Sequence, residues 1–348
     1  MTRVGVLPGD GVGPEVVAEA RKILEATRLP LDLVTLPWGS AFWHEHGRMM
    51  PADGVEVASG LDAILLGAVG DPSVPDDVTL WGLLLALRQE LDLWANVRPV
   101  RLLEGIPCPL AGRGPQDVDM LFVRENTEGE YSGVGGWVHR GLPGELAVES
   151  SVFTRDGVER TVRFAFAQAR ARRGRLTSAT KSNASRYTYV LWDEVVDAVS
   201  ADYPDVERES VLVDALAARM VRDPGSIDVV VASNLFGDIL TDLAGAIQGG
   251  LGVCASANIA PGSDATAIFE PVHGSAPDIA GMGIANPTGA IWSVALMLDH
   301  LGEVAAAAAV MKALEATATA GVRTRDVGGS ATTVEVGDAV AARVRDLR

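Results

Sequence analysis

Short apolar segments alternate along the chain with longer segments in which apolar residues recur at helical spacing. Apolar runs at residues 4–7, 63–66, 120–123 and 229–232 are each followed by a loop bearing Gly or Asn, which predicts four buried strands. The helical pattern covers residues 14–26, 158–173, 192–199 and 291–301. This alternation predicts an α/β fold with a largely parallel sheet. A turn-rich stretch within residues 131–153 interrupts it and predicts a hairpin arm, either a sheet edge or a dimer contact.

Composition narrows the class of protein. The chain has 348 residues, of which 48% are hydrophobic, so it can bury a large core and its length favours two domains. A formal net charge of −17 excludes the basic surface that nucleic-acid binding needs. The N-terminus lacks the features of a signal peptide, no apolar run reaches the length of a membrane span, and Cys108 and Cys254 show no metal-ligand spacing. We therefore expect a cytoplasmic protein without nucleic-acid or membrane partners.

Two acidic residues follow a strand in the segment VVVASNLFGDILTD. Asp238 and Asp242 lie four positions apart, so on a helix they share one face. Such a pair binds a hard cation such as Mg²⁺ or Mn²⁺, although two unrelated acids on a solvated face would give the same pattern. Lys181 is one of only three lysines and follows small polar residues, which suits a general base. The alternative is that Lys181 has no role in a site and stands out only because the chain uses arginine at nearly every other cationic position.

Arginines form a second candidate cluster. Arg88, Arg98 and Arg124 each follow an apolar segment that would hold the guanidinium rigidly, and a planar donor fork suits a carboxylate. Together they predict a pocket for a di-acid, whereas each alone is consistent with a structural ion pair. Tyr131, just after Arg124, is a candidate general acid or an ordinary packing residue.

Two glycine-bearing segments are candidates for the cofactor site. GDGVGP at residues 9–14 lacks the spacing of a dinucleotide fingerprint and predicts a tight turn that lines a cofactor without holding its phosphates. The segment 269–287, FEPVHGSAPDIAGMGIANP, predicts a long functional loop. Its amides at His273, Gly274, Ser275 and Ala276 could approach a ligand, and Asp278 could accept hydrogen bonds from a ribose, which favours NAD over a phosphorylated cofactor.

Six motifs in order resemble one known family. LPGDGVGPE, LR with NVRP, VRENTEGEYS, TKSN, VVVASNLFGDILTDL and FEPVHGSAPDIAG with ANP are similar to the β-decarboxylating dehydrogenases of isocitrate, isopropylmalate, homoisocitrate, tartrate and D-malate. The resemblance implies an isopropylmalate dehydrogenase-like two-domain α/β fold with a large mixed, mostly parallel sheet and helices on both faces. Residues 1–98 and 251–348 would form the cofactor domain, and residues 99–250 the substrate, metal and dimer domain.

The resemblance also assigns roles to residues. It implies a homodimer with shared active sites, NAD and Mg²⁺ or Mn²⁺, and leaves a K⁺ requirement open. Arg88, Arg98 and Arg124 would bind the di-acid, and Tyr131 would donate a proton. The cofactor would be lined by Glu270, His273, Gly274, Ser275, Ala276, Asp278 and Asn286. The metal would be held by Asp238 and Asp242 of one subunit and Asp214 of the other, which would also supply the base Lys181.

Substrate choice is predicted from the segment before Arg88. Isocitrate enzymes place a serine where this chain has Gly82, and isopropylmalate enzymes place a glutamate where it has Trp81. Trp81 should narrow the pocket, so the segment most resembles tartrate and D-malate dehydrogenases. We expect NAD-dependent conversion of D-malate to pyruvate and CO₂, oxidation of tartrate, or both. The retained Leu84 and Leu85 keep 3-isopropylmalate dehydrogenase as an alternative, and a non-catalytic regulatory subunit is an alternative of another class.

Overall fold

The computed structural model describes residues 1–347 and contains one ten-stranded sheet, a separate two-stranded hairpin and helices on both faces of the sheet. The strands are β1 Thr2–Gly9, β2 Leu31–Thr35, β3 Ala63–Ala68, β4 Ala95–Arg101, β5 Asp119–Glu125, β6 Gly135–Val138, β7 Leu146–Glu149, β8 Arg175–Thr180, β9 Glu207–Leu212, β10 Val229–Ala232, β11 Ala255–Ile259 and β12 Ala267–Pro271. The helices are α1 Gly13–Thr27, α2 Ser40–His46, α3 Gly54–Ser59, α4 Asp76–Thr79, α5 Leu85–Glu90, α6 Arg155–Ala171, α7 Thr188–Ser200, α8 Val213–Arg222, α9 Asn234–Ile247, α10 Thr288–His300, α11 Val304–Thr319 and α12 Thr333–Asp346. A π-helical turn, Leu80–Leu84, joins α4 to α5, and short 3₁₀ turns cover Pro115–Asp117, Pro224–Ser226, Leu251–Val253 and Arg325–Val327.

All four predicted strands and all four predicted helices are present. The apolar runs became β1, β3, β5 and β10, because residues that are apolar on both sides of a strand can be buried only between two layers of helices. The ends moved by a few residues where polar groups extend an element. Helix α6 begins three residues before its first predicted residue, since the Thr154 hydroxyl accepts a hydrogen bond from the Gly157 N–H and caps the helix.

The sheet has the strand order β2-β1-β3-β12-β11-β4-β5-β10-β8-β9. Neighbouring strands are parallel except where β11 meets β12 and β4 and where β4 meets β5. The predicted α/β class with a mixed, mostly parallel sheet is therefore confirmed. Strands from both chain ends form one half of the sheet and strands from the middle of the chain form the other. The division into two domains with the stated boundaries stays a prediction.

The N-terminal and C-terminal parts of the chain pack together in the half of the sheet that β1, β2, β3, β11 and β12 form. Helices α1 and α12 pack against each other. The Lys22 ammonium lies 2.7 Å from Glu19 Oε2 and 2.7 Å from Asp338 Oδ1, and Gly337 lies against the Glu19 side chain. Burial of Glu19 is thus compensated by a cation, and α12 is fixed to α1.

The hairpin formed by β6 and β7 lies within the arm predicted at residues 131–153. Its apolar side chains Val134, Trp137, Leu142 and Leu146 are all exposed in the single chain. Exposed apolar residues clustered on a protruding hairpin are typical of a contact surface. Its role in a dimer stays a prediction. None of the described helices is both long enough and apolar enough to cross a membrane.

Candidate active site

A cavity of about 230 Å³ lies over the middle strands of the sheet. Its polar wall includes Arg98 of β4, Arg124 of β5, Ser256 of β11 and Glu270 of β12. These residues line one cavity because side chains two positions apart on a strand share a face, and the ladder places Asn96 of β4 directly beside Arg124. The sequence thus folds into a polar floor in the middle of an otherwise apolar sheet.

The three predicted substrate arginines meet in this cavity. Arg88 Nη2 lies 2.7 Å from Glu270 Oε1, and the side chains of both are less than 10% exposed. Arg98 Nε donates to Asn96 Oδ1 at 2.7 Å. Burial lowers the pKa of Arg98 and of Arg124, and for Arg124 the neighbouring Arg98 lowers it further. Because the protein compensates these cations only partly, the cavity favours an anion.

Asp238 and Asp242 lie on α9, whose first turn is capped by Ser233. Arg124 Nη1 donates to Asp238 Oδ1, and Arg98 Nη2 is 3.5 Å from the same atom. Burial would raise the pKa of Asp238, but Arg124 and Arg98 outweigh it and lower the pKa. For Asp242 burial prevails and raises the pKa, with Asp238 adding to the effect. A carboxylate that is ionised beside a second one that is poorly compensated is a donor pair that a divalent cation would stabilise.

The third predicted metal ligand is not beside this pair in the single chain. Asp214 lies on α8, is mostly exposed, and accepts a hydrogen bond from Lys181 Nζ at 2.7 Å. That bond lowers the pKa of Asp214. Neither residue lines the cavity, and residues 1–347 contain no group of three His, Cys, Asp or Glu side chains that could hold a metal ion. One chain therefore supplies two of the three predicted metal acids, and the roles of Lys181 and Asp214 stay predictions.

Tyr131 lies at the mouth of the cavity. Its hydroxyl donates to Asp238 Oδ2 at 3.1 Å, and its carbonyl accepts from Gln89 Nε2 at 3.2 Å. Burial raises the pKa of Tyr131, and the Asp238 carboxylate raises it further although Arg124 acts in the opposite direction. The phenol is consequently protonated at neutral pH and holds a proton that it can donate.

The segment before Arg88 supplies the apolar wall. Leu80, Leu84 and Leu85 line the cavity, as the retained leucines suggested. The structure places Trp81 elsewhere, with its ring against Gly133 at the base of the hairpin. Trp81 and Gly82 lie in the π-helical turn, where Gly82 faces the Met49 side chain. The predicted narrowing of the substrate pocket by Trp81 therefore finds no support in the single chain.

A second cavity of about 360 Å³ lies beside the first, and His273 and Gly274 line both. Of the other residues predicted to contact the cofactor, Ala276 and Asn286 also line this cavity, whereas Asp278 is exposed outside the lining and Ser275 is buried. Their role in cofactor binding stays a prediction. Glu270 lines only the first cavity, where it is paired with Arg88. The remaining lining residues are Val12, Leu251, Gly252, Ile279, Ile284, Ala285 and Asp326.

His273 shows that this pair of cavities fits a polar cofactor. Its Nε2 atom is buried and has no hydrogen-bond partner among the described residues, while Nδ1 contacts the Gly274 carbonyl at 2.9 Å. Burial lowers the pKa of His273, so the ring is neutral at physiological pH. A buried, unpartnered ring nitrogen between two cavities is a free position for a ligand hydrogen bond.

Several functional groups escaped the sequence analysis. Asn258 Oδ1 accepts from Asn96 at 2.8 Å, and its Nδ2 donates to Glu270 Oε1 at 2.9 Å, so it links the Arg98 and Arg88 contacts. The alternation in NVRP, which puts residue 96 on the same face as residue 98, is a signal that could have identified Asn96. Asp326, which accepts from Asn286 Nδ2 at 2.9 Å, carried no such signal because 40 residues separate them.

Comparison with known proteins agrees with this geometry. Residues 3–340 match the family model described as isocitrate/isopropylmalate dehydrogenase. The chain is 49% identical to a probable tartrate dehydrogenase/decarboxylase of Bacillus subtilis (strain 168), covering 99% of this chain and 98% of the relative. It is 47% identical to a D-malate dehydrogenase (decarboxylating) of Escherichia coli (strain K12), covering 97% of each. It is 49% identical to a 3-isopropylmalate dehydrogenase of Thermobifida fusca (strain YX), covering 99% and 98%. The chain belongs to the isocitrate/isopropylmalate dehydrogenase family of oxidoreductases.

Proposed function

We propose that the protein oxidises a (2R)-hydroxy di-acid and releases its β-carboxylate as CO₂, with NAD and a divalent metal ion as cofactors. The favoured substrates are D-malate, which gives pyruvate, and tartrate. The observation that carries the proposal is the cluster of Arg88, Arg98 and Arg124 in one cavity with Asp238, while Asp242 Oδ1 lies 4.0 Å from Arg98 Nη1. A substrate with two carboxylates needs two cationic contacts, and its hydroxyl needs a neighbouring carboxylate-bound cation.

The size of the cavity favours a substrate without a bulky group. Its volume of about 230 Å³ is below the roughly 300–1,000 Å³ that is typical of ligand pockets, and it must also admit the reactive ring of the cofactor. Identity alone does not choose the substrate, because relatives named for tartrate, D-malate and 3-isopropylmalate are 47% to 49% identical. The apolar wall of Leu80, Leu84 and Leu85 keeps 3-isopropylmalate as the second candidate.

The cofactors fit the two cavities. Dehydrogenases of this family generally use NAD and a divalent metal. Asp238 and Asp242 offer hard oxygen ligands that suit Mg²⁺ or Mn²⁺, and exposed Asp278 beside the second cavity favours NAD over a 2′-phosphorylated cofactor. When bound, NAD accepts the hydride and the cation polarises the oxygens of the substrate. A K⁺ requirement belongs to the same proposal as an optional addition to the assay.

The residues of the chain divide the remaining work. The buried guanidiniums of Arg98 and Arg124 bind and orient the carboxylates of the di-acid, and Arg88 completes the cluster from α5. The Tyr131 hydroxyl stays protonated during oxidation and donates its proton to carbon 3 after CO₂ has left. The leucine wall excludes water from the reacting carbon. Lys181 of a second subunit accepts the proton of the 2-hydroxyl when its amine is neutral, and Asp214 stabilises the ammonium that results.

A homodimer with shared active sites is supported by two features. Lys181 and Asp214 contact each other but lie outside the cavity of their own chain, and the hairpin exposes apolar side chains beside Trp81. A second copy could cover the hairpin and deliver Lys181 to the neighbouring cavity. The protein would then act on a small-molecule substrate within a homodimer, with no nucleic-acid or membrane partner.

The activity is tested by following NADH formation with Mn²⁺ and D-malate, L-tartrate, meso-tartrate, 3-isopropylmalate or isocitrate, with EDTA as the control. Metal-dependent preference for D-malate or tartrate supports the proposal. Preference for 3-isopropylmalate would show instead that Leu80, Leu84 and Leu85 bind the isopropyl group of the substrate. No turnover of any of these di-acids would favour a non-catalytic regulatory subunit.

The shared site is tested by mixing two inactive variants. Lys181→Met removes the proposed base and Asp238→Asn removes a proposed metal ligand, so each homodimer should be inactive. If the sites are shared, the mixed dimer has one complete site and equal mixing restores about a quarter of native activity. If Lys181 acts within its own chain, every site carries a defect and mixing restores nothing.

A further inference from the structure

The turn after β1 binds the loop that lines the second cavity. We call residues 272–287 the cofactor loop. The Val12 N–H donates to the Ser275 carbonyl at 2.8 Å, and Gly11 lies so close that a Cβ there would be 2.0 Å from the same oxygen. Glu15, in the first turn of α1, accepts from the Gly281 N–H with one carboxylate oxygen and from the Gly283 N–H, at 3.1 Å, with the other. The segment GDGVGPE is therefore a platform for the loop.

The platform is itself rigid. Asp10 is buried and its carboxylate accepts from Ser40 N at 2.8 Å, Ser40 Oγ at 2.8 Å and Gly70 N at 2.9 Å. These bonds attach the turn to two other connections in the same half of the sheet. A side chain anchored to such a turn can transmit its position to whatever it binds.

In the far part of the cofactor loop, the Thr333 N–H donates to the Gly283 carbonyl at 2.9 Å and Thr333 Oγ1 donates to the Ala285 carbonyl at 2.6 Å, whereas Gly281 and Met282 are exposed. Gly281 and Gly283 have φ values of 77° and 66°, a left-handed conformation that glycine adopts freely but does not prefer. No neighbouring atoms crowd their Cα positions, and Met282 between them is exposed. The Glu15 carboxylate supplies two charge-assisted hydrogen bonds to this segment, and such bonds are stronger than neutral ones.

We propose that Glu15 is a positioning residue for the dinucleotide, which it does not touch. Its carboxylate holds residues 281–283 so that Ile279 and Ile284 on either side keep their places in the lining of the cofactor cavity. This inference rests on the proposed NAD site. Without the anchor, a smaller fraction of molecules has the binding-competent loop, and the KM for NAD rises by the factor by which that fraction falls. At saturating NAD the loop is in place, so kcat and the KM for the di-acid do not change.

The test compares Glu15→Gln with Glu25→Gln. Both changes neutralise a glutamate on α1, but Glu25 forms only an exposed ion pair with Arg21. The side-chain amide that Glu15→Gln introduces can accept from one loop N–H, while its own NH₂ group faces the other. We expect faster hydrogen exchange at the amides of residues 280–284 in the cofactor-free protein and a rise of about tenfold in the KM for NAD. Glu25→Gln should change neither quantity.

The exchange measurement needs no substrate, so it stands even if the protein turns over none of the di-acids. Unchanged exchange at residues 280–284 in a folded Glu15→Gln variant overturns the proposal, as does a fall in kcat with an unchanged KM for NAD. Glu15→Asp keeps the charge but is too short to reach both amides, and it should show an intermediate effect. Failure of both variants to fold would also overturn the proposal, since Glu15 would then hold the fold and not the loop.

Discussion

The buried ion pair between Arg88 and Glu270 should be costly to break. Arg88 Nη2 lies 2.7 Å from Glu270 Oε1, with side-chain exposures of 6% and 7%. Arg101 and Glu315 make the same Nη2 to Oε1 contact at 2.9 Å, but their exposures are 39% and 29%. The two contacts share their atoms and distance but differ in burial and in the hydrogen bond that Asn258 donates to Glu270, so Glu315→Gln serves as the exposed control for Glu270→Gln.

Removal of one partner from a buried pair leaves an uncompensated charge, which costs roughly 3–5 kcal/mol. The amide oxygen that Glu270→Gln introduces can still accept one hydrogen bond from Arg88, so we expect this variant to lower the free energy of unfolding by about 3 kcal/mol. For Glu315→Gln, where water solvates the remaining guanidinium, we expect a loss of less than about 1 kcal/mol. Added salt should reduce the loss for the control only, because it screens exposed charges.

The measurement is equilibrium unfolding in urea at one fixed protein concentration, followed by circular dichroism. Equal losses in the two variants would refute the reasoning, because burial would then have no effect on the energy of this contact. A di-acid should restore part of the stability of Glu270→Gln, because its carboxylate replaces the lost negative charge beside Arg88. No such recovery would show that the di-acid does not bind next to Arg88.

Two further predictions concern the carboxyl of Glu125 and the apolar wall of the substrate cavity. Burial raises the pKa of Glu125 from 4.5 to about 7, so the stability it contributes is complete below pH 4.5 and is lost as the pH rises through 7. Glu125→Gln should remove this pH dependence, because its amide does not ionise. Thermal unfolding of both proteins at about pH 5 and about pH 8 is the measurement. If the melting temperature of the native protein falls no more between these pH values than that of the variant, the prediction is wrong. Leu84→Ala should enlarge the substrate cavity and raise kcat/KM for 3-isopropylmalate relative to D-malate, whereas Trp81→Ala, whose ring lies on Gly133, should leave this ratio nearly unchanged. A larger change in this ratio for Trp81→Ala than for Leu84→Ala would show that Trp81 controls substrate specificity.

Much of the fold follows from local patterns. The run VVVA predicted β10 because a short run rich in β-branched residues that ends at a polar turn is typical of a strand covered on both faces. The antiparallel placement of β11 and β4 in the middle of the sheet could not be foreseen. It depends on which strands pair over long distances in the chain, and a strand of five residues such as ASANI carries no information about its neighbour.

The sequence predicted those residues of the candidate site whose chemical type and position along the chain pointed to the same role. Arg98 and Arg124 meet because both lie on strands that turned out to be neighbours, and Asp238 follows a third strand. The prediction for Trp81 rested on its position seven residues before Arg88, whereas the chain forms a π-helical turn there and the ring lies against Gly133. That turn packs against Met49, a residue from a different part of the chain, and no pattern within residues 80–84 reports such a contact.

The contact between α1 and α12 also affects the order in which parts of the protein can fold during synthesis. Helix α1 is made long before α12, because the salt bridge from Lys22 to Asp338 joins residues 316 positions apart. The middle strands β5, β8, β9 and β10 are all made before α12, so their half of the sheet can assemble while α1 still lacks its cover. A chain that stops before residue 333 leaves the side of α1 that faces α12 uncovered, although α10 and β3 still pack against α1. Truncation within α12 should therefore destabilise the half of the sheet that α1 covers.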